Sequence, residues 1–169
     1  MIYDLNYDIT TIDFNGKSHK VKAVSVGKNL CIYGITIKNN KVLIAPAFGG
    51  YIWPGGTIKT GEDHLEGLKR EYKEETGYDI EPIELMNIYT SMFWDPIINK
   101  DFHTLMIFYY VKIIGGNESD VSLNQFEKEF QGKAKWTSID ELEKMHYSCG
   151  LGISDEIITA VKNKLKEGR

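Results

Sequence analysis

Residues 55–78, GGTIKTGEDHLEGLKREYKEETGY, constrain the fold and chemistry of this chain more than any other stretch. Six acidic side chains fall within fourteen residues, and three of them lie in the segment 70–75, REYKEE. Asp63 is a good helix N-cap with Glu66 three residues later, and Gly77 is placed to end the helix in a left-handed conformation. The stretch therefore predicts one helix, flanked by loops, that concentrates negative charge.

Helical periodicity gathers this charge on one side of the helix. At roughly 100° per residue, Glu71, Glu74 and Glu75 share an arc of about 100°. An adjacent apolar stripe, suited to anchoring the helix on a sheet, consists of Leu65, Leu68 and Tyr72. We therefore expect three carboxylates at the edge of a helix–sheet contact.

A salt-bridged surface helix is the simplest interpretation of these charges, because Arg70 lies within ion-pair reach of both Glu66 and Glu74. However, clustered like charges cost a few tenths of a kcal/mol per pair unless a cation offsets them. Gly67 costs about 1 kcal/mol relative to alanine within a helix. The tight loop 53–56, WPGG, also brings bare backbone close to the helix. Carboxylates with a backbone carbonyl are all-oxygen ligands, so we favour a site for a hard cation such as Mg²⁺ or Mn²⁺.

The rest of the composition is that of a globular protein. With 169 residues, 42% apolar and 26% charged, we interpret residues 1–169 as a single domain, with 1–20 as an N-terminal β extension. A net charge of −4 makes a nucleic-acid partner unexpected. Two cysteines fit a reducing compartment, and neither a signal peptide nor a membrane-length apolar run is visible. We expect a soluble, cytoplasmic protein, and we consider a homodimer, through the N-terminal hairpin, as the alternative to a monomer.

Strand patterns dominate outside the acidic helix. Hairpin turns are predicted at Asn15-Gly16 and Asn39-Asn40. The predicted strands cover residues 8–14, 19–26, 30–37, 41–47, 83–91, 103–114 and 133–137. A capping box at 138–141 opens a short helix, and Ser154 is expected to cap a last helix. This mixture predicts a mixed sheet with helices packed on its faces.

The acidic segment resembles a known family signature. From Gly56 the chain reads G, five residues, Glu62, seven residues, and then residues 70–78, REYKEETGY. This pattern resembles the Nudix box, with two tyrosines, Tyr72 and Tyr78, where the family usually carries aliphatic residues. We expect both tyrosines at core or core-edge positions. The resemblance implies an α/β (α+β) fold, an α/β/α sandwich around a mixed β-sheet, and a hydrolase of nucleoside diphosphates linked to another moiety.

The resemblance also implies roles for individual residues. Glu74 and Glu75, with the carbonyl of Gly55, would bind Mg²⁺ or Mn²⁺. Glu71 would complete the shell of metal and water and is a candidate base. Residues with a supporting role are Arg70, which would hold the glutamates by ion pairs, and Gly56, Glu62 and Gly77, which would support the loops.

Residues outside the box are assigned less directly. An additional acid is expected from the segment 125–136, where Glu127 and Glu129 are candidates and Glu129 has the more similar spacing to Trp136. Aromatic residues that could stack on a base are Tyr51, Trp53, Phe93 and Trp94. Packing in the core is the alternative for each of them, except that Trp94 lies in a segment that reads as a loop.

These observations favour a small-molecule nucleotide as the substrate. We expect a divalent-metal-dependent pyrophosphohydrolase that converts an unmodified or oxidised nucleoside triphosphate to a nucleoside monophosphate and pyrophosphate. The alternatives are hydrolysis of ADP-ribose or a nucleotide sugar, and a nucleotide sensor that binds without turnover. The sensor is disfavoured because all four glutamates of the box, Glu62, Glu71, Glu74 and Glu75, are present.

Overall fold

A curled mixed β-sheet forms the centre of the structure, a computed structural model that describes residues 4–118, 121–123, 125–145, 147–148 and 153–167. Its strands are β1 (Asp8–Ile12), β2 (Ser18–Lys22), β3 (Gly27–Ile35), β4 (Ile37–Lys38), β5 (Lys41–Ala47), β6 (Gly50–Ile52), β7 (Gly55–Thr57), β8 (Tyr78–Asp95), β9 (Lys100–Gly116) and β10 (Lys135–Ser138). Its helices are α1 (His64–Thr76), α2 (Gln125–Phe130), α3 (Ile139–Leu142) and α4 (Ser154–Glu167), and a 3₁₀ turn covers Ala23–Ser25.

The strands pair in two groups. A six-stranded sheet has the order β2-β1-β8-β9-β3-β7, and β10, β5 and β4 form a second sheet to which β6 adds through β5. β3 runs parallel to β9, whereas β7 runs antiparallel to β3. The loop before the acidic helix α1 is therefore attached to the edge of the larger sheet.

Helices cover both faces of the larger sheet because successive residues of a strand point to opposite sides. Ile32 on β3 shares an apolar cluster with Leu68 and Tyr72 of α1. Its neighbour Tyr33 belongs instead to the cluster that contains Ile157 of α4. The predicted α/β/α arrangement around a mixed sheet is thereby confirmed.

Local sequence defines both ends of α1. The Asp63 carboxylate accepts the N–H groups of Leu65 and Glu66, at 2.9 and 3.4 Å. Gly77 ends the helix with a φ of +75°, and a Cβ there would lie 2.0 Å from the carbonyl oxygen of Asn117. Conformation and space thus both require glycine at this position, as the sequence predicted.

The two tyrosines of the box lie where they were expected. Tyr72 is fully buried, and its hydroxyl lies 2.5 Å from the hydroxyl of Thr36. A Cβ at Gly34 would lie 2.7 Å from the Tyr72 ring, so this glycine makes room for the larger side chain. Tyr78 is half-buried at the edge of the same cluster.

Some predicted boundaries were wrong. The segment 125–136, for which no helix was predicted, contains helix α2. β8 and β9 are longer than predicted because they pair with each other along most of their length, so Trp94 lies in a strand opposite Asp101. β2 ends early, where the 3₁₀ turn begins at Ala23, and Ser154 is the first residue of α4. Across the described part of the chain, no helix is long and apolar enough to span a membrane.

Candidate metal and substrate site

The guanidinium of Arg70 holds three carboxylates of the box together. Its Nε and Nη2 donate to the two oxygens of Glu62 at 2.7 and 2.9 Å. Its Nη1 donates to Glu71 at 2.6 Å and to Glu74 at 3.4 Å. Hydrogen bonding and charge from Glu62 first, and then from Glu71, raise the pKa of Arg70. The guanidinium therefore stays protonated and offsets part of the charge of the cluster.

Glu62 anchors the loop before α1 and is the principal partner of Arg70. Hydrogen bonds from Arg70 and from the Lys59 N–H lower the pKa of Glu62 from 4.5 to about 2. Glu66, which the sequence places within ion-pair reach of Arg70, pairs instead with Lys69 at 2.8 Å. Tertiary folding brings Glu62 over Gly67, where a Cβ would lie 3.0 Å from a Glu62 oxygen. The glycine in the helix is explained by this close approach.

Glu75 is buried and held at both of its oxygens. One accepts the Gly55 N–H at 2.8 Å, and the other accepts the side-chain amide of Gln131 at 2.7 Å. Each carboxylate oxygen has two lone pairs, so these bonds leave acceptor capacity for a cation. Gln131 could not be predicted from the sequence, because nothing local marks an amide 56 residues away in the chain.

The Gly55-Gly56 loop lies directly against α1. Gly55 has a φ of +144°, and a Cβ there would lie 2.1 Å from the carbonyl oxygen of Ile32. At Gly56 a Cβ would lie 2.8 Å from the carboxyl group of Glu71. Gly55 thus allows β7 to lie close against the backbone of β3, and Gly56 makes room for the Glu71 carboxylate where β7 meets the helix.

The donor set is suited to Mg²⁺ or Mn²⁺ because it consists of carboxylate oxygens and a backbone carbonyl, which are all hard oxygen ligands. Glu71, Glu74 and Glu75 come from one helix side, and the space left by Gly56 keeps Glu71 beside the loop. In the conformation described, no three acidic, histidine or cysteine side chains among the described residues are arranged as a complete metal site. Arg70, which lies between Glu71 and Glu74, occupies their oxygens instead.

A cavity of about 330 Å³ adjoins this cluster. Thr57 lines it, and the Thr57 carbonyl accepts a hydrogen bond from Arg70 at 3.3 Å. Aromatic walls are supplied by Tyr33, Phe93 and Phe102, and polar groups by Asn29, Ser91, Asp95 and Thr104. Burial raises the pKa of the Cys31 thiol on the same wall, and the Glu71 carboxylate adds to the effect. The cavity therefore combines apolar walls with polar groups close to the carboxylates.

The aromatic residues predicted to stack on a base occupy three different environments. Phe93 lines the cavity. Tyr51 and Trp53 have no exposed surface and pack in the cluster beneath α4. Trp94 is half-buried, and its ring centroid lies 3.8 Å from that of His19. Of these four residues, Phe93 has the position that suits contact with a bound molecule.

Glu129 lies on a second, more open cavity of about 480 Å³. Phe48, Phe130 and Gln131 line the same cavity. Glu129 is exposed at the end of α2, two residues before the amide that contacts Glu75. Glu129 therefore shares a cavity with the residue that contacts Glu75, and its role as the additional acidic residue stays a prediction, while the Glu127 side chain lies outside the described part.

Comparison with known proteins identifies the family of this arrangement. A model of the NUDIX domain matches residues 30–151. An ADP-ribose pyrophosphatase of Methanocaldococcus jannaschii is 34% identical over 92 residues, which cover 52% of this chain and 52% of that protein. An 8-oxo-dGDP phosphatase of Danio rerio is 34% identical over 83 residues, covering 44% of this chain and 26% of that protein. The matched regions thus span about half and about a quarter of these relatives.

The fold has a solved counterpart. A NUDIX hydrolase from Nitrosomonas europaea superimposes with a TM-score of 0.62 at 18% identity, covering 81% of this chain and 90% of that one. At this identity the likeness shows the fold. It agrees with a mixed sheet that has helices on both faces.

Proposed function

Because the chain belongs to the Nudix hydrolase family, we propose that it is a divalent-metal-dependent pyrophosphohydrolase acting on a nucleoside diphosphate linked to another moiety. The observation that supports this most directly is the box itself. Glu71 and Glu75 contact the Gly55-Gly56 segment, Glu74 shares the Arg70 guanidinium with Glu71, and a cavity adjoins the cluster.

The proposed cation would be held by Glu71, Glu74 and Glu75 and by the carbonyl of Gly55. When bound, Mg²⁺ or Mn²⁺ neutralises phosphate charge and lowers the pKa of a coordinated water. Arg70 orients the carboxylates, and Glu62 fixes Arg70 through two parallel hydrogen bonds.

Glu71 is the proposed base, because it lies beside the loop and is only 9% exposed. Glu129, which lines the more open cavity, is the proposed additional acidic residue and the alternative base. Either carboxylate would accept the proton of the attacking water. The reaction consumes one water, which breaks the phosphoanhydride bond and leaves two phosphate-containing products.

As substrate we propose an unmodified or oxidised nucleoside triphosphate, cleaved to a nucleoside monophosphate and pyrophosphate. The cavity of about 330 Å³ is at the small end of ligand pockets, which supports one nucleoside more than two linked ones. Phe93 and Phe102 would contact the base, while the Asn29 amide would bind its polar edge. ADP-ribose is the second candidate, because the archaeal relative carries that name.

The experiment that tests this function measures phosphate-containing products with Mg²⁺ across nucleoside triphosphates, oxidised forms, ADP-ribose and nucleotide sugars. Glu74→Gln is compared with Glu66→Gln, since Glu66 lies on the same helix but pairs with Lys69. We expect turnover that Glu74→Gln abolishes and Glu66→Gln preserves. Pyrophosphate as a product supports a triphosphate substrate, and two monophosphates support a linked one. Nucleotide binding without turnover would replace the hydrolase with a sensor.

A further inference from the structure

Four phenylalanine rings from separate segments form a continuous row beside the site. Phe14, in the turn between β1 and β2, stacks on Phe48 with centroids 4.5 Å apart and planes at 14°. Its other neighbour is Phe93, at 4.7 Å in an edge contact. Phe48 in turn stacks on Phe130 at 5.9 Å and 18°. Phe14 therefore joins a wall of the cavity of about 330 Å³ to a wall of the more open cavity of about 480 Å³.

The turn that carries Phe14 is firmly fixed. The Asp13 side chain is 6% exposed, and its Oδ1 accepts the N–H groups of Asn15 and Lys17, both at 2.8 Å. Ile12 pairs with Phe93 in parallel register. Because the backbone is held on both sides of Phe14, its ring has a defined place against β8.

Phe48 needs this support more than an ordinary core residue. Its φ of +50° is a left-handed conformation that residues with a side chain rarely adopt. The Phe48 N–H donates to the Phe130 carbonyl at 3.3 Å, and the Gly132 N–H donates to the Pro46 carbonyl at 2.7 Å. These bonds join the turn after β5 to the segment that ends α2.

Gln131 lies inside this joined segment. It pairs with Ala47 in a β-bridge, and its side-chain amide donates to Glu75 at 2.7 Å. A contiguous series of contacts therefore leads from Phe14, through Phe48 and Phe130, to a buried carboxylate of the box. Each step in the series is a stacking contact between rings, a hydrogen bond or the link between two consecutive residues.

We propose that Phe14 is a positioning residue, whose ring orders the turn 46–50 and the segment 129–132 and so keeps Gln131 on Glu75. The rings act as a support for these segments, since their close spacing leaves no gap for a planar base. The N-terminal hairpin then contributes to the geometry of the site through Phe14. The catalytic consequence rests on the proposed function, whereas the ordering of the two segments does not.

Hydrogen exchange measured by mass spectrometry tests the ordering directly. We expect Phe14→Ala to speed amide exchange in peptides covering 46–51 and 125–132 by about tenfold, because aromatic pairs stabilise the locally closed state. Phe14→Tyr keeps the ring and should restore slow exchange. Val24→Ala, at a side chain that is 66% exposed in the 3₁₀ turn after the hairpin, should leave both peptides unchanged.

Activity supplies the second readout. If the hydrolase is active, Phe14→Ala should raise the Mg²⁺ concentration for half-maximal rate by about tenfold or more, as expected when a partner of a ligand is displaced. If Phe14→Ala fails to fold, Asp13→Ala takes its place, because it loosens the turn but keeps the ring. It should likewise speed exchange in both peptides and raise the Mg²⁺ concentration for half-maximal rate. Unchanged exchange in both peptides of a folded variant would overturn the inference. If exchange is faster in Phe14→Ala but the wild type shows no turnover, the proposed function is refuted and the ordering of the two segments is supported.

Discussion

The buried hydroxyl pair of Tyr72 and Thr36 gives a quantitative test of how α1 is anchored. The two oxygens lie 2.5 Å apart, and the residues are 0% and 4% exposed. Tyr72→Phe leaves the Thr36 hydroxyl buried without its partner, which costs about 1–3 kcal/mol. Thr36→Val in turn leaves the Tyr72 hydroxyl buried without this partner and should cost a similar amount. Removing both hydroxyls removes the unsatisfied group as well.

We therefore expect the double variant to be less destabilised than the sum of the single variants, with a coupling of about 0.5–3 kcal/mol. The free energies of unfolding are measured by urea denaturation at neutral pH. Tyr78→Phe is the matched control, because its hydroxyl donates to Glu118 at an exposed position, and it should change stability by less than about 0.5 kcal/mol. Additive costs for Tyr72→Phe and Thr36→Val would show that the hydroxyls do not depend on each other and would refute this reasoning.

Three further outcomes are expected. Gly55→Ala should destabilise the fold by more than about 3 kcal/mol in urea denaturation, because positive φ and a Cβ 2.1 Å from the Ile32 oxygen combine; a variant of wild-type stability would contradict the loop geometry. The lowered pKa of Glu62 means that its pair with Arg70 stabilises the fold fully above about pH 4.5 and is lost as the pH falls through about 2; the acid dependence of stability should be shallower in Glu62→Gln, and identical profiles would argue against it. EDTA should abolish turnover, and excess Mg²⁺ should restore it; turnover that survives EDTA would exclude the proposed use of the carboxylates.

Local sequence determined the acidic helix and its chemistry. Asp63 and Gly77 end it through interactions with near neighbours, and the contact between Arg70 and Glu74 follows from a spacing of four residues. The 3.6-residue period alone places the carboxylates on one side. Family, mixed sheet and helix-covered faces were predictable for the same reason, since they follow from patterns that are contiguous in the chain.

Tertiary structure decided which partners those residues take. Arg70 makes two hydrogen bonds to Glu62 and one each to Glu71 and Glu74, because the preceding loop folds back over Gly67. Gln131 reaches Glu75 because a sheet bridge to Ala47 carries it there. Such choices depend on distances between segments that the local pattern does not encode.

The aromatic residues show the same division. Residue type alone makes Tyr51, Trp53 and Phe93 equal candidates for stacking on a base. In the structure the first two are buried in the cluster beneath α4, whereas Phe93 lines the cavity. Phe14 carried no signal of its own, because its role exists only where the N-terminal hairpin meets β8 and the turn at Phe48. The sequence determined the chemical groups of the site, and the packing of distant segments determined their surroundings.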